Sequence, residues 1–158
     1  KYPSYKKIKN IKTALDKGKG VIITGATGCG KTHLIIGGLY YIACQSALPL
    51  DEFGFIDVAE WAYMVNNMDK RERDAVIDEV AAKRYLVIDD AGWEGEYRKD
   101  IMRILFRKRF NLKNIDLITT NFSITANHNS FAEFYRFDIF DRLMSCCKLI
   151  TVAGESVR

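Results

Sequence analysis

Gly25-Ala26-Thr27-Gly28-Cys29-Gly30-Lys31-Thr32 fits the pattern G-x-x-x-x-G-K-[ST] at every fixed position. Its surroundings fit as well: Val21-Ile22-Ile23-Thr24 reads as a buried strand, and His33-Leu34-Ile35-Ile36 opens a helix. In a strand–loop–helix setting, glycines let successive N–H groups turn inward around phosphate oxygens, and the helix N-terminus adds its partial positive charge. Lys31 is expected to reach the β- and γ-phosphates, and the Thr32 hydroxyl to ligate Mg²⁺. Cys29 reads as a small space-filler, since no base lies near it in sequence. Residues 25–32 therefore predict a site for a nucleoside triphosphate.

Outward from this loop, strands and helices alternate. A helix is expected over residues 31–46, a strand over 54–57, and a helix over 58–68 with Val58, Trp61, Ala62 and Val65 on its apolar side. A charged helix follows over 69–83, with Ala75, Val76, Val80 and Ala81 facing inward. Tyr85-Leu86-Val87-Ile88 is a continuous apolar strand of the kind buried on both faces of a parallel sheet. Residues 97–110 read as a helix, 116–119 as a strand, 137–147 as a helix after a polar loop, and 149–152 as a last strand. Residues 1–19 form a basic, polar segment with a short amphipathic piece around Ile8, Ile11 and Leu15; residues 20–158 form one domain. The alternation predicts a three-layer α/β fold around a parallel sheet.

A second motif sits on the strand ending Ile88-Asp89-Asp90. In P-loop proteins such a strand is expected beside the P-loop strand, where it delivers carboxylates to the metal. Asp89 is assigned to Mg²⁺ through its water shell and Asp90 to polarising the attacking water. Alone, two acids after a strand are a common turn opening. After a complete phosphate loop they separate classes, because a hydrolase needs the second carboxylate here and a nucleotide switch or small-molecule kinase does not. The fourth strand ends Ile118-Thr119-Thr120-Asn121, placing polar side chains at the C-terminal edge of the sheet, and Asn121 is a candidate to position the lytic water.

Composition narrows the remaining classes. No apolar run approaches the ~20 residues of a membrane span, and nothing resembles a signal peptide, so a cytoplasmic location is expected. Cys29, Cys44, Cys146 and Cys147 form no C-x-x-C pair, and with only His33 and His128 beside them no zinc set is credible. A net charge of +4 permits nucleic-acid contact without requiring it. The chain starts at Lys1 without methionine, as a piece of a longer protein would.

With these motifs in place the chain resembles the AAA+ ATPases, and within them the DnaC/DnaI-like loaders of replicative helicases, with IstB-type transposition ATPases as relatives. The resemblance rests on residues 25–32 with His33-Leu34, on Asp89-Asp90, on Thr119-Thr120-Asn121, on Phe140-Asp141-Arg142-Leu143, and on the ending Gly154-Glu155-Ser156-Val157-Arg158. It implies a five-stranded parallel sheet with no or minimal C-terminal lid, ATP as nucleotide, and a homo-oligomer in the ATP state. It also implies that Arg142 acts as an arginine finger on the neighbouring subunit's ATP, and that Arg158 senses the nucleotide of its own subunit. His33, which alone reads as structural, joins the nucleotide-binding set. A replicative helicase is the implied partner, through a region outside these residues. Gly92-Trp93-Glu94-Gly95-Glu96 departs from the family pattern.

Loaders of this type hold single-stranded DNA, for which two basic clusters are candidates: Lys70, Arg71 and Arg73, and the helix face bearing Arg98, Arg103 and Arg107. Such runs are also ordinary solvated helix faces. The aromatics Phe131, Phe134, Tyr135 and Phe137 read as packing before stacking platforms. Alternative readings of the whole are a helper ATPase of transposition, a nucleoside or nucleotide kinase, and a hydrolysis-dead switch.

Overall fold

The computed structural model describes residues 5–124 and 130–152. The elements run α1 (Tyr5–Asp16), β1 (Gly20–Gly25), α2 (Lys31–Gln45), a 3-10 turn (Leu50–Glu52), β2 (Phe53–Asp57), α3 (Val58–Asn66), α4 (Lys70–Ala82), β3 (Tyr85–Ala91), α5 (Lys99–Leu112), β4 (Ile115–Thr120), α6 (Phe131–Tyr135), α7 (Phe137–Cys146) and β5 (Cys147–Val152).

Five parallel strands lie in the order β2-β3-β4-β1-β5. The strands that read as continuous apolar runs occupy the middle, where both faces are covered: Val21, Ile22, Ile23, Val87, Ile88, Leu117 and Ile118 have no exposed surface. The edge strands β2 and β5 keep exposed residues such as Asp57, Lys148 and Thr151. Side chains alternate across the sheet. Val21, Ile23, Val87 and Leu117 pack with Ile11 and Leu15 of α1 and Leu34 and Ile35 of α2. Ile22, Leu86, Ile88 and Ile118 pack with Trp61 of α3, Met102 and Phe106 of α5, and Ile139 and Leu143 of α7.

Several expectations need correction. The Asp89-Asp90 strand is not beside the P-loop strand, because β4 lies between β3 and β1. The reason is register: Val87↔Leu117 and Val21↔Leu117 pair on either side of β4, whose apolar centre suits the most buried position in the sheet. The segment read as polar loop contains α6, with Ser130 capping it by accepting the Glu133 N–H at 3.2 Å and Phe131 and Tyr135 fully buried. Packing is thus the role of Phe131 and Tyr135, whereas Phe137 stays exposed. On α4 the inward side is Val76, Ile77, Val80 and Ala81; Ala75 faces solvent. Among the described residues no helix is long and apolar enough to cross a membrane.

Candidate active site

The phosphate loop joins β1 to α2 at the C-terminal edge of the sheet. Gly30, at the N-cap of α2, has φ 88, a left-handed conformation that a side chain disfavours. Ala26 and Thr27 form the exposed crest of the loop, and Cys29 is buried beneath it with its Sγ towards Gly25, as a filler should be. Lys31 is 5% exposed. Its ammonium donates to the carbonyls of Gly25 at 3.0 Å and Ala26 at 3.1 Å, and to Asn121 Oδ1 at 2.5 Å. All three acceptors are neutral oxygens, so the positive charge stays available to an anion held by the loop.

On the other side of the loop, the Thr32 hydroxyl donates to both carboxylate oxygens of Asp89 at 3.1 Å. Asp89 is buried and also accepts from the Thr119 hydroxyl at 2.5 Å. A hydroxyl and a carboxylate meeting at the phosphate loop form a hard-oxygen pair of the kind that suits Mg²⁺, which uses few protein ligands beside substrate oxygens. The residues present therefore fit that ion. Asp90 follows with φ 55, left-handed for a residue with a side chain, and its N–H donates to Thr119 Oγ1 at 2.8 Å.

The sheet order thus brings Lys31, Thr32, Asp89, Asp90 and Asn121 together, because β4 sits between the strands carrying the two motifs. Sequence reasoning placed Thr119 at the sheet edge but gave it no role; it accepts from the Asp90 N–H while donating to Asp89. Its signal was a hydroxyl inside a buried strand. Sequence reasoning missed Glu94, buried in the turn after Asp90, for which local sequence holds no signal.

Other candidates lie elsewhere. His33 is exposed at an open, mostly apolar groove of about 260 Å³ between α1 and α2, lined also by Ile8, Lys12, Gly37 and Tyr41. Arg142 is half-buried on α7, its guanidinium 5.2 Å from the Phe110 ring centroid. Asp138, one turn earlier on α7, binds Arg107 at 2.9 Å and Arg136 at 3.3 Å, and those cations hold its carboxyl below the usual range. Lys70 and Arg71 stand exposed at the start of α4, and Arg73 donates to Met68 O at 3.2 Å. The second basic cluster is engaged with protein. Arg98 lies over the Tyr63 ring at 5.1 Å and donates to Glu94 O, and Arg103 donates to the carbonyls of Phe134 and Tyr135. Arg158 falls outside the described residues.

A family model described as IstB-like ATP binding protein matches residues 4–158. The chain belongs to that family. No curated protein matches this IstB-like chain by sequence. Among solved structures it is similar to the DnaC helicase loader (TM-score 0.75, 19% identity, 92% of this chain and 87% of the other). It is similar to DnaI (TM-score 0.69, 20% identity, 96% and 84%). It is also similar to the replication initiator DnaA bound to AMPPCP and single-stranded DNA (TM-score 0.70, 15% identity, 93% and 45%). The expected IstB-type kinship holds, and this IstB-like ATP-binding domain shares the expected AAA+ fold with the DnaC and DnaI structures.

Proposed function

We propose that this chain is the ATPase module of a replicative-helicase loader that hydrolyses ATP between subunits and engages single-stranded DNA. The observation that carries the reading is the arrangement around Lys31: a buried ammonium on neutral oxygens, with Asn121 on one side and the Thr32–Asp89 pair on the other. In this reading Lys31 and the loop N–H groups bind the phosphates, and Thr32 and Asp89 hold Mg²⁺. Mg²⁺, when bound, neutralises charge on the phosphate oxygens. Asp90 accepts the proton of the attacking water, and Asn121 orients that water. Arg142 reaches the ATP of a neighbouring subunit, and Arg158 the nucleotide of its own. ATP then governs oligomer formation, since the site is complete only with a neighbour. The likeness to a helicase loader and to an initiator bound to single-stranded DNA supports both partners. Lys70 and Arg71 are the cations best placed to meet phosphates, being outward-facing.

The test is ATP turnover per subunit across protein concentration, with and without single-stranded DNA, in the wild type and Arg142→Ala. Turnover should rise with concentration and again with DNA. Arg142→Ala should keep nucleotide affinity and lose the stimulated rate by about 10³–10⁵-fold, the range for an arginine finger. Unchanged stimulated turnover removes Arg142 from the mechanism. A second reading, a transposition helper ATPase, is favoured by the IstB-like family match. Pull-downs against a helicase and a transposase separate the two.

A further inference from the structure

The turn Asp90–Trp93, which presents the second acid, is tied down by four hydrogen bonds. The Asp90 N–H donates to Thr119 Oγ1 at 2.8 Å, and the Asp90 carbonyl accepts from Trp93 N–H at 3.1 Å. The Ala91 carbonyl accepts from the Thr120 hydroxyl at 2.7 Å, and the Gly92 N–H donates to Glu94 Oε2 at 2.9 Å. A left-handed aspartate persists only where its surroundings over-determine it, and these bonds supply that restraint. Two of the partners are β4 hydroxyls. The remaining side chain, Glu94, is 1% exposed and points away from solvent.

Glu94 Oε1 and the Tyr135 hydroxyl lie against each other in this buried pocket without a hydrogen bond of good geometry to any described residue. Tyr135 is the fully buried last residue of α6, and Arg103 pins that end by donating to the carbonyls of Phe134 at 2.9 Å and Tyr135 at 3.3 Å. The turn also touches α6 through aromatic rings. A Cβ on Gly92, at φ 107, would fall 2.2 Å from the Phe122 ring, which packs on Phe134 at 5.1 Å between centroids. Gly92 is thus required by the closeness of that ring.

We propose that Glu94 is a positioning residue for Asp90: its carboxyl holds the Gly92 N–H of the Asp90–Trp93 turn and packs that turn against the Tyr135 end of α6. The proposal rests on the hydrolytic reading of the site given above. Because α6 leads directly into α7, which carries Arg142, the same clamp ties the acid of a subunit's own site to the helix bearing its outward arginine. A carboxamide at this position can accept from Gly92 and donate towards Tyr135, whereas an alanine can do neither.

The experiment compares Glu94→Ala, Glu94→Gln and Asp90→Asn with the wild-type chain. For each, kcat, ATP dissociation constant, thermal midpoint and acrylamide quenching of tryptophan emission are measured. Trp93 lies in the turn and is 61% exposed while Trp61 is buried, so quenching reports the turn independently of turnover. Glu94→Ala should lower kcat at least tenfold with ATP affinity within twofold, and raise quenching. Glu94→Gln should stay within threefold of wild type. Wild-type kcat and quenching in Glu94→Ala overturn the proposal. So does equal damage in both variants with equal loss of thermal midpoint, since a merely structural carboxylate would behave so. If Glu94→Ala is recovered unfolded, Glu94→Asp, whose shorter side chain withdraws from Gly92, replaces it under the same criteria. Turnover unchanged in Asp90→Asn brings down the hydrolytic reading instead, and the quenching comparison still decides whether Glu94 holds the turn.

Discussion

Strand β4 has a buried cation at each end, and the two are satisfied in opposite ways. At its N-terminal end Arg109, with no exposed surface, forms an ion pair with Asp116. It also donates to the carbonyls of Ala81 at 3.1 Å, Lys83 at 2.6 Å and Ile115 at 2.9 Å. It thereby occupies carbonyls left open at the C-terminus of α4 and fastens α4 and α5 to the sheet. At the C-terminal end Lys31 meets only neutral oxygens among the described residues, and the nearby carboxylate of Asp89 is taken by two threonine hydroxyls. One cation is compensated in charge and in hydrogen bonds and has nothing left to offer. The other keeps its charge for a ligand. A buried cation is therefore read by its partners, not by its burial.

Exchanging the roles of the two ends should break this contrast most visibly in stability. Arg109→Ala leaves Asp116 without its partner in the core and should cost about 3–5 kcal/mol in chemical denaturation. Lys31→Ala should lower ATP turnover by about 10²–10³-fold, as for loss of one preorganised donor to a reacting phosphate. Its denaturation midpoint should hold or rise, because an ammonium without a counter-charge is removed. A loss of stability matching that of Arg109→Ala would mean that the two ends do not differ in kind. Thr119→Val sharpens the picture within the functional end. It strips the acceptor from the Asp90 N–H and a donor from Asp89, with an expected cost of about 1–3 kcal/mol and reduced turnover at unchanged ATP affinity.

The smallest effect concerns pH. Burial pushes the Glu94 carboxyl above its ordinary 4.5, with the Tyr135 hydroxyl, Gly92 N–H and Arg103 pulling the other way. The folded chain then keeps a proton that the unfolded chain has released, so this contribution is complete below about pH 4.5 and fades as pH rises through the folded value. Thermal midpoints of wild type should fall relative to Glu94→Gln as pH rises above 4.5. Parallel curves would show that Glu94 ionises as it would in water.

How much of this was legible depended on how local each feature is. The phosphate loop, Thr32 and the acids of β3 could be read directly, because spacing within a few residues defines them. The neighbourhood of β3 was misread, since strand order is decided by pairings between distant segments. The arginines were the least legible. Arg98 caps α5 and Arg103, Arg107 and Arg109 lie along it, yet one covers a tyrosine ring, one anchors α6, one pairs across to α7 and one is buried against the end of β4. The spacing of Arg98, Arg103 and Arg107 suggested a single basic face, but each long side chain finds a partner some 30 residues away, and Arg109 turns to the next strand.

What the sequence by itself determined is the local conformation: where the loop must turn, which runs can be buried strands, and which residues carry oxygen and nitrogen to the sheet edge. Glycine freedom, apolar runs and capping act over a few bonds, so a few residues suffice to state them. Only the tertiary structure decided that β4 lies between the two motifs. That placement puts Asn121 against Lys31 and Thr119 between Asp89 and Asp90, and leaves Glu94 sealed beneath the turn. Those juxtapositions come from burying the most apolar strands together, a condition on the whole chain that no stretch of it expresses alone.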